Sequence, residues 1–264
     1  MVLVLEALAA ERPPTGIVID VAPSRQVSPL IKAVRPERYL SIDFDPGADG
    51  RLVDVAASLT DLPVRTGSTS LLVCYHVLEH IPDDHKAMSE IARVLDTDGI
   101  ALLQVPWRDR DTDEDPSAGP AERLERFGQA DHVRFYGTDF VARLEKNGLA
   151  VTEVTPADLL PPDLLTMLGV IPGEKVWICT RADSGAFDLD TVRGRLPEAL
   201  TAALARMVAV SAADTVASPD TLESLHLARA DAAMWRKRYE GLRNRLPVRA
   251  MIAVRRPFSR GSAR

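Results

Sequence analysis

Two short apolar runs, each carrying an acid at or near its end, constrain this chain more than anything else in it. Gly16-Ile17-Val18-Ile19-Asp20-Val21 is apolar except for Asp20, and Tyr39-Leu40-Ser41-Ile42-Asp43 ends in a second carboxylate. A strand without polar alternation has no face to give to water, so it must lie in a sheet covered on both sides. The helical stretch around Ser28 to Arg35 between the two runs supplies such a cover and allows them to lie parallel. The same alternation continues to about Thr180. It predicts strands over Arg51 to Val55, Ser70 to Tyr75, Ile100 to Val105, Ala150 to Thr155 and Lys175 to Thr180. Helices are expected over about Asp83 to Leu95, ending at Asp96-Thr97-Asp98-Gly99 with glycine as the stop, and over Thr138 to Asn147, stopped by Gly148. The expected fold is α/β, a Rossmann-like doubly wound, mostly parallel seven-stranded sheet, plus a helical C-terminal extension.

Domain organisation follows from where that pattern fails. Past Ala182 no clear strand signal remains and Ala and Leu recur at helical spacing, so residues 1–182 are expected to form the sheet domain and residues 183–264 the extension. Arg108 to Pro120, crowded with Asp, Arg, Pro and Gly, reads as a long loop of the kind that serves as a lid or stays disordered. The 264 residues, 46% hydrophobic and 27% charged, suit a globular domain with an appendage. Cys74 and Cys179 sit in apolar strand runs and read as small core residues, which fits a reducing compartment. The first residues lack the basic start of a signal peptide and no apolar run nears about 20 residues. A cytoplasmic location is expected, peripheral to the inner face of the membrane if the tail binds there.

In an open α/β sheet, ligands bind beyond the carboxyl ends of the strands where strand order reverses. Asp43, roughly twenty residues after the first strand, is placed to accept both hydroxyls of a ribose. The competing reading is a turn acid before Asp45-Pro46-Gly47. The loop after the first strand, Val21-Ala22-Pro23-Ser24-Arg25-Gln26, contains no glycine. It offers no cradle for phosphate and so argues against a nicotinamide, flavin or nucleoside triphosphate ligand. After the fourth strand come Tyr75, His76, Glu79 and His80. Glu79 and His80 read equally well as a structural pair, and a metal centre would need a further ligand that their spacing does not supply, so no metal is expected.

The ordered set DLPV (Asp61–Val64), LLVCYHVLEHIPDD (Leu71–Asp84) and MSEIARVLDTDGIALLQVP (Met88–Pro106) resembles class I S-adenosylmethionine-dependent methyltransferases, bacterial type 11-like. The likeness is greatest to a subgroup with an Ala-Pro first loop, an acidic TDED loop (Thr112–Asp115) and the segment ERFGQADHVRFYGTDF (Glu125–Phe140). It covers about two thirds of the chain. It implies S-adenosyl-L-methionine as cofactor, with Asp20, Ala22, Pro23, Asp43, Phe44, Tyr75 and His76 around its methionine and ribose moieties. Asp54, Ser58 and Leu59 would border the adenine. On the acceptor side it implies Trp107, His132, Arg134 and Tyr136. Here His132 or His76 would act as catalytic base and Arg134 as an anion clamp, unless Arg134 is a staple to the acidic loop.

The expected activity is methyl transfer to a small-molecule or glycan acceptor, at oxygen or nitrogen. The alternative is a catalytically silent binding or scaffold protein, with surface-glycan assembly as one setting, which the missing glycines favour. A net charge of −6 gives no reason to expect nucleic acid. From Trp235 onward, however, ten Arg or Lys residues face the single acid Glu240. Leu222 to Leu246 reads as one amphipathic helix able to form a homodimer, and the Arg-rich end as either a solvated tail or a peripheral contact with anionic membrane.

Overall fold

The computed structural model describes residues 4, 5, 7, 8, 14–24, 27–33, 36–45, 53–160, 162, 165, 166 and 171–195. The expected C-terminal helix, its homodimer contact and the basic tail lie outside them. Strands β1 (Ile17–Val21), β2 (Arg38–Asp43), β3 (Val55–Ala56), β4 (Thr69–Tyr75), β5 (Leu95–Gln104), β8 (Leu149–Val154) and β9 (Val176–Arg181) form one seven-stranded sheet. Its order is β3-β2-β1-β4-β5-β9-β8, parallel except for β9, which runs antiparallel to both neighbours. The helices include α1 (Ser28–Ala33), α2 (Asp84–Val94), α3 (Pro120–Phe127), α4 (Phe140–Lys146) and α5 (Pro156–Leu159). Among the described residues no helix is long and apolar enough to cross a membrane.

Both sheet faces are dry, as the unalternating strands require. Ile19, Val21, Leu72, Cys74, Ala101, Leu103, Trp177 and Cys179 point into one core. Val18, Leu71, Val73, Leu102, Val176 and Ile178 point into the other. The two cysteines are unpaired and fully buried, and burial pushes both thiols up, so they act as small apolar side chains. Helix α2 starts where the Asp83 carboxylate accepts the Lys86 amide at 3.0 Å. It buries Ala87, Met88, Ile91 and Val94 on the first core, a helical stripe. Chain beyond residue 182 still contributes to the second core, through Phe187, Leu189 and Val192, and Thr152 donates to the Phe187 carbonyl at 2.7 Å.

Three local expectations change. β3 spans Val55–Ala56, with Asp54 before it bonded to Ser41 of β2, and the start of the expected strand, Arg51 and Leu52, lies outside the described residues. Helix α2 passes into extended backbone at Leu95 without a glycine stop. Gly99 instead packs against β4, where a Cβ would stand 2.5 Å from the Thr69 carbonyl oxygen. The segment expected as a free loop is pinned: β6 (Asp113–Glu114) pairs antiparallel with β7 (Arg134–Phe135).

Candidate active site

The parallel strands bring Ala22, Asp43, Ala57 and His76 to one edge of the sheet, through backbone bonds that extend each ladder by one residue. Ala22 N–H donates to Ile42 O (2.7 Å), Ala57 N–H to Asp43 O (3.0 Å) and His76 N–H to Gln104 O (2.9 Å). Strand order reverses between β1 and β4, the neighbours that end at Ala22 and His76. These two are the only non-glycine residues with positive φ among the described residues, at 51° and 55°. L-residues pay roughly 1–2 kcal/mol for that conformation, and such strain collects at ligand sites. The glycine-free loop therefore makes the tight turn of a glycine loop with Ala22 in its place. Ala22→Gly is expected to retain the fold and change stability by no more than about 1 kcal/mol, since relief of strain offsets the added freedom of the unfolded chain. Ala22→Val should destabilise by about 2 kcal/mol. Urea unfolding of both variants checks this.

Asp43 is half-buried at the end of β2, where one carboxylate oxygen accepts the Asp45 amide at 3.0 Å. Phe44 next to it is 81% exposed, an apolar ring on the surface, while Pro23, just after β1, and Tyr75, at the end of β4, are half-buried. Ser58 follows β3 at the same edge, its hydroxyl bonded to Thr60 at 2.8 Å.

Three other expected cofactor contacts are placed elsewhere. Asp54 precedes β3 and gives one carboxylate oxygen to both the amide and the hydroxyl of Ser41 (2.8 and 2.7 Å), bonds that hold its carboxyl below the usual range. Leu59 turns its side chain into the first core. Asp20 lies on the second sheet face, 2% exposed, where the Tyr39 hydroxyl donates to it at 2.6 Å and so ties β2 to β1.

Burial raises the Asp20 carboxyl despite Tyr39 and Lys32. A raised folded-state value means that protonation favours the fold: this contribution is complete below the ordinary Asp range and is lost as pH rises through the raised value. Asp20→Asn, which cannot ionise, should therefore melt higher than wild type at pH 8, and the gap should close toward pH 4. Melting curves across that range give the answer.

The acceptor-side segment is built around the turn after β4. Leu78–His80 form a single 3-10 turn, and the Val133 amide donates to Glu79 O at 2.9 Å, setting His132 over it. Arg134, 1% exposed, donates to the carbonyls of Leu78 and Pro82 (2.9 Å each), to Ile81 O and to Glu114 Oε2 (3.1 Å). Tyr136 is fully buried with its hydroxyl on Asp84 (2.7 Å), and the Trp107 indole N–H is spent on Gly137 O (2.7 Å) beneath the Lys175 ammonium. The anion-clamp role expected of Arg134 is thus corrected to the staple. Trp107 and Tyr136 spend their single donors within the segment, and Arg134, 1% exposed, makes four N–H bonds inside it.

The histidines divide. His76 has a side chain 43% exposed, and its Nδ1 lies 3.1 Å from Glu79 Oε1. His132 is 3% exposed, its ring edge-on to His80 with centroids 4.5 Å apart. Burial holds His132 below the ordinary histidine value, against the pull of Glu79. The Phe127 backbone lies near enough to act on the ring, yet neither ring nitrogen completes a hydrogen bond. Glu79 is fully buried and its Oε2 is likewise without a partner. Each such orphan costs about 1–3 kcal/mol. The sequence marked Glu79, His80 and His132 separately; their meeting was hidden because it depends on the backbone bond between two distant segments.

A family described as a methyltransferase domain matches residues 3–154, more than half of the chain. The chain belongs to this methyltransferase family. It is an S-adenosylmethionine-dependent methyltransferase on the class I, Rossmann-like fold. Among curated proteins none matches significantly. Solved structures similar to it include an S-adenosylmethionine-dependent methyltransferase from Mesorhizobium loti, 14% identical, with 66% of this chain and 95% of that one aligned at a TM-score of 0.45. A TehB-like methyltransferase from Corynebacterium glutamicum is 19% identical, covering 68% and 87% at 0.41. The 1,6-didemethyltoxoflavin-N1-methyltransferase from Burkholderia thailandensis, solved with that compound and S-adenosylhomocysteine, is 13% identical, covering 67% and 76% at 0.45. None of the three decides which acceptor this methyltransferase uses.

The residues at the sheet edge fit the cofactor. An adenosyl sulfonium carries no phosphate, and the loop at Ala22 offers a close backbone turn without a phosphate cradle. A carboxylate and an exposed ring, Asp43 and Phe44, supply the acceptor and the apolar surface that a ribose and a base need.

Proposed function

We propose that this methyltransferase transfers the methyl group to a hydroxyl of a small-molecule or glycan acceptor, with His76 as the general base. The observation that carries the reading is the His76–Glu79 pair at the strand-order reversal: a half-open imidazole at the end of β4 whose Nδ1 is held by a buried carboxylate. The sulfonium supplies an activated methyl and a good leaving group, so orientation and proximity account for most of the rate. Asp43 holds the ribose hydroxyls, and the turns at Ala22 and His76 let backbone approach the methionine portion. Glu79 fixes the imidazole so that Nε2 is the nitrogen left to take the acceptor proton, a base oriented by a third group. His132, 3% exposed, is closed to an acceptor in this arrangement, and a base role falls to His76.

The test is calorimetric titration of S-adenosylmethionine and S-adenosylhomocysteine, followed by a screen of sugars, phenols and lipid-linked glycans for S-adenosylhomocysteine release. Release with a hydroxyl acceptor, reduced at least about 100-fold in His76→Ala with cofactor affinity retained, supports the reading. Turnover of amines alone, or full turnover in His76→Ala, overturns it.

A further inference from the structure

We infer that Glu79, His80 and His132 form a binding site for one divalent first-row transition-metal ion of the Zn2+ or Fe2+ type. The inference is independent of the acceptor and of the base assigned to His76. One candidate ligand atom from each residue lies within 4.8 Å of the other two. Zinc–nitrogen bonds of about 2.0–2.1 Å put tetrahedral ligands roughly 3.3 Å apart, so modest side-chain rotation closes the set.

Two observations besides the clustering point to a cation. Glu79 Oε2 and both ring nitrogens of His132 are buried without a completed hydrogen bond; one ion would take the Glu79 oxygen and one His132 nitrogen, with the Phe127 backbone near the ring for the other. The outer groups are also those that orient metal ligands. Asp131 Oδ2 lies 3.2 Å from His80 Nδ1, which leaves Nε2 of that ring to coordinate, and His76 Nδ1 takes the other oxygen of Glu79 at 3.1 Å.

The donor chemistry sets the class of ion. Two imidazoles and one carboxylate suit zinc, iron, cobalt or nickel, whereas calcium and magnesium call for oxygen donors throughout. Three protein ligands leave a position open, and the side chain of His80, 33% exposed, admits solvent there. That is the form of an exchangeable site that binds water or an oxygen ligand, not of a closed structural one.

The experiment uses the full chain freed of any histidine tag and stripped with chelator. Co2+ is titrated in while visible absorption is recorded, and bound Co2+ and Zn2+ are counted by mass spectrometry after dialysis. One equivalent per chain is expected, with visible ligand-field bands and a higher melting temperature with Zn2+. His80→Ala, a change at a partly exposed side chain, and the isosteric Glu79→Gln should each weaken binding at least 100-fold while keeping the wild-type circular dichroism. Failure of wild type to retain either ion overturns the site, and so does unchanged binding in a folded His80→Ala. Because the readout is metal content, the result stands whether or not methyl transfer to a hydroxyl is found.

Discussion

Arg134→Ala is expected to lower the unfolding free energy by about 3–5 kcal/mol, among the largest effects a single substitution can have here. The guanidinium is 1% exposed and serves the carbonyls of Leu78, Ile81 and Pro82 together with Glu114. Arg143 still reaches Glu114 at 2.8 Å and Asp84 at 3.5 Å, so neither acid is stranded by the change. The loss falls mainly on the carbonyls of Ile81 and Pro82, each costing about 1–3 kcal/mol when left unsatisfied, less whatever entering water restores, while Leu78 O keeps the Ile81 amide at 3.2 Å. Arg134→Lys keeps the charge but not the planar fork, and should recover less than half. Equilibrium urea unfolding measures both. An acceptor clamp would behave in the opposite way: stability within about 0.5 kcal/mol of wild type and a raised KM.

Asp43→Ala is expected to weaken S-adenosylmethionine binding by at least about 100-fold. Two charge-assisted hydrogen bonds to ribose hydroxyls are worth about 1.5–3 kcal/mol each, and even the lower value for the pair exceeds two decades. Asp43→Asn keeps the shape and one acceptor and should lose about tenfold. Folding stability should fall little, since the side chain is only half-buried and one of its carboxylate oxygens accepts the amide of neighbouring Asp45. Calorimetric titration of cofactor into both variants, beside their melting curves, separates the alternatives. A turn acid would shift the melting temperature and leave the dissociation constant alone.

The contrast between Asp43 and Asp20 shows how much of the site was legible in the chain. Both lie at or next to the end of an apolar run, and local pattern treats them alike. Asp43 is the last residue of its strand and sits at the edge. Asp20 comes one residue before the end of its own, and strand alternation therefore turns it onto the sheet face toward Tyr39. The same limit applies to Arg134 and His132. Their types and spacing mark a segment with chemistry in it, but whether a guanidinium meets a ligand or three carbonyls depends on which loop lies opposite.

What the sequence by itself determined is the layered architecture. Unalternating apolar strands separated by helical stripes can be buried only in a parallel sheet covered on both faces, and that requirement is local. The strand-end acid Asp43 and the glycine-free turn follow from the same reading, because each lies within a few residues of a strand end. Only the tertiary structure decided that Ala22 and His76 take left-handed backbone at adjacent strand ends. It also decided that β6 and β7 pin the acidic loop, and that Glu79, His80 and His132 share one buried cluster. These depend on contacts between segments far apart in the chain, where hydrogen bonds and burial select partners that no local periodicity records.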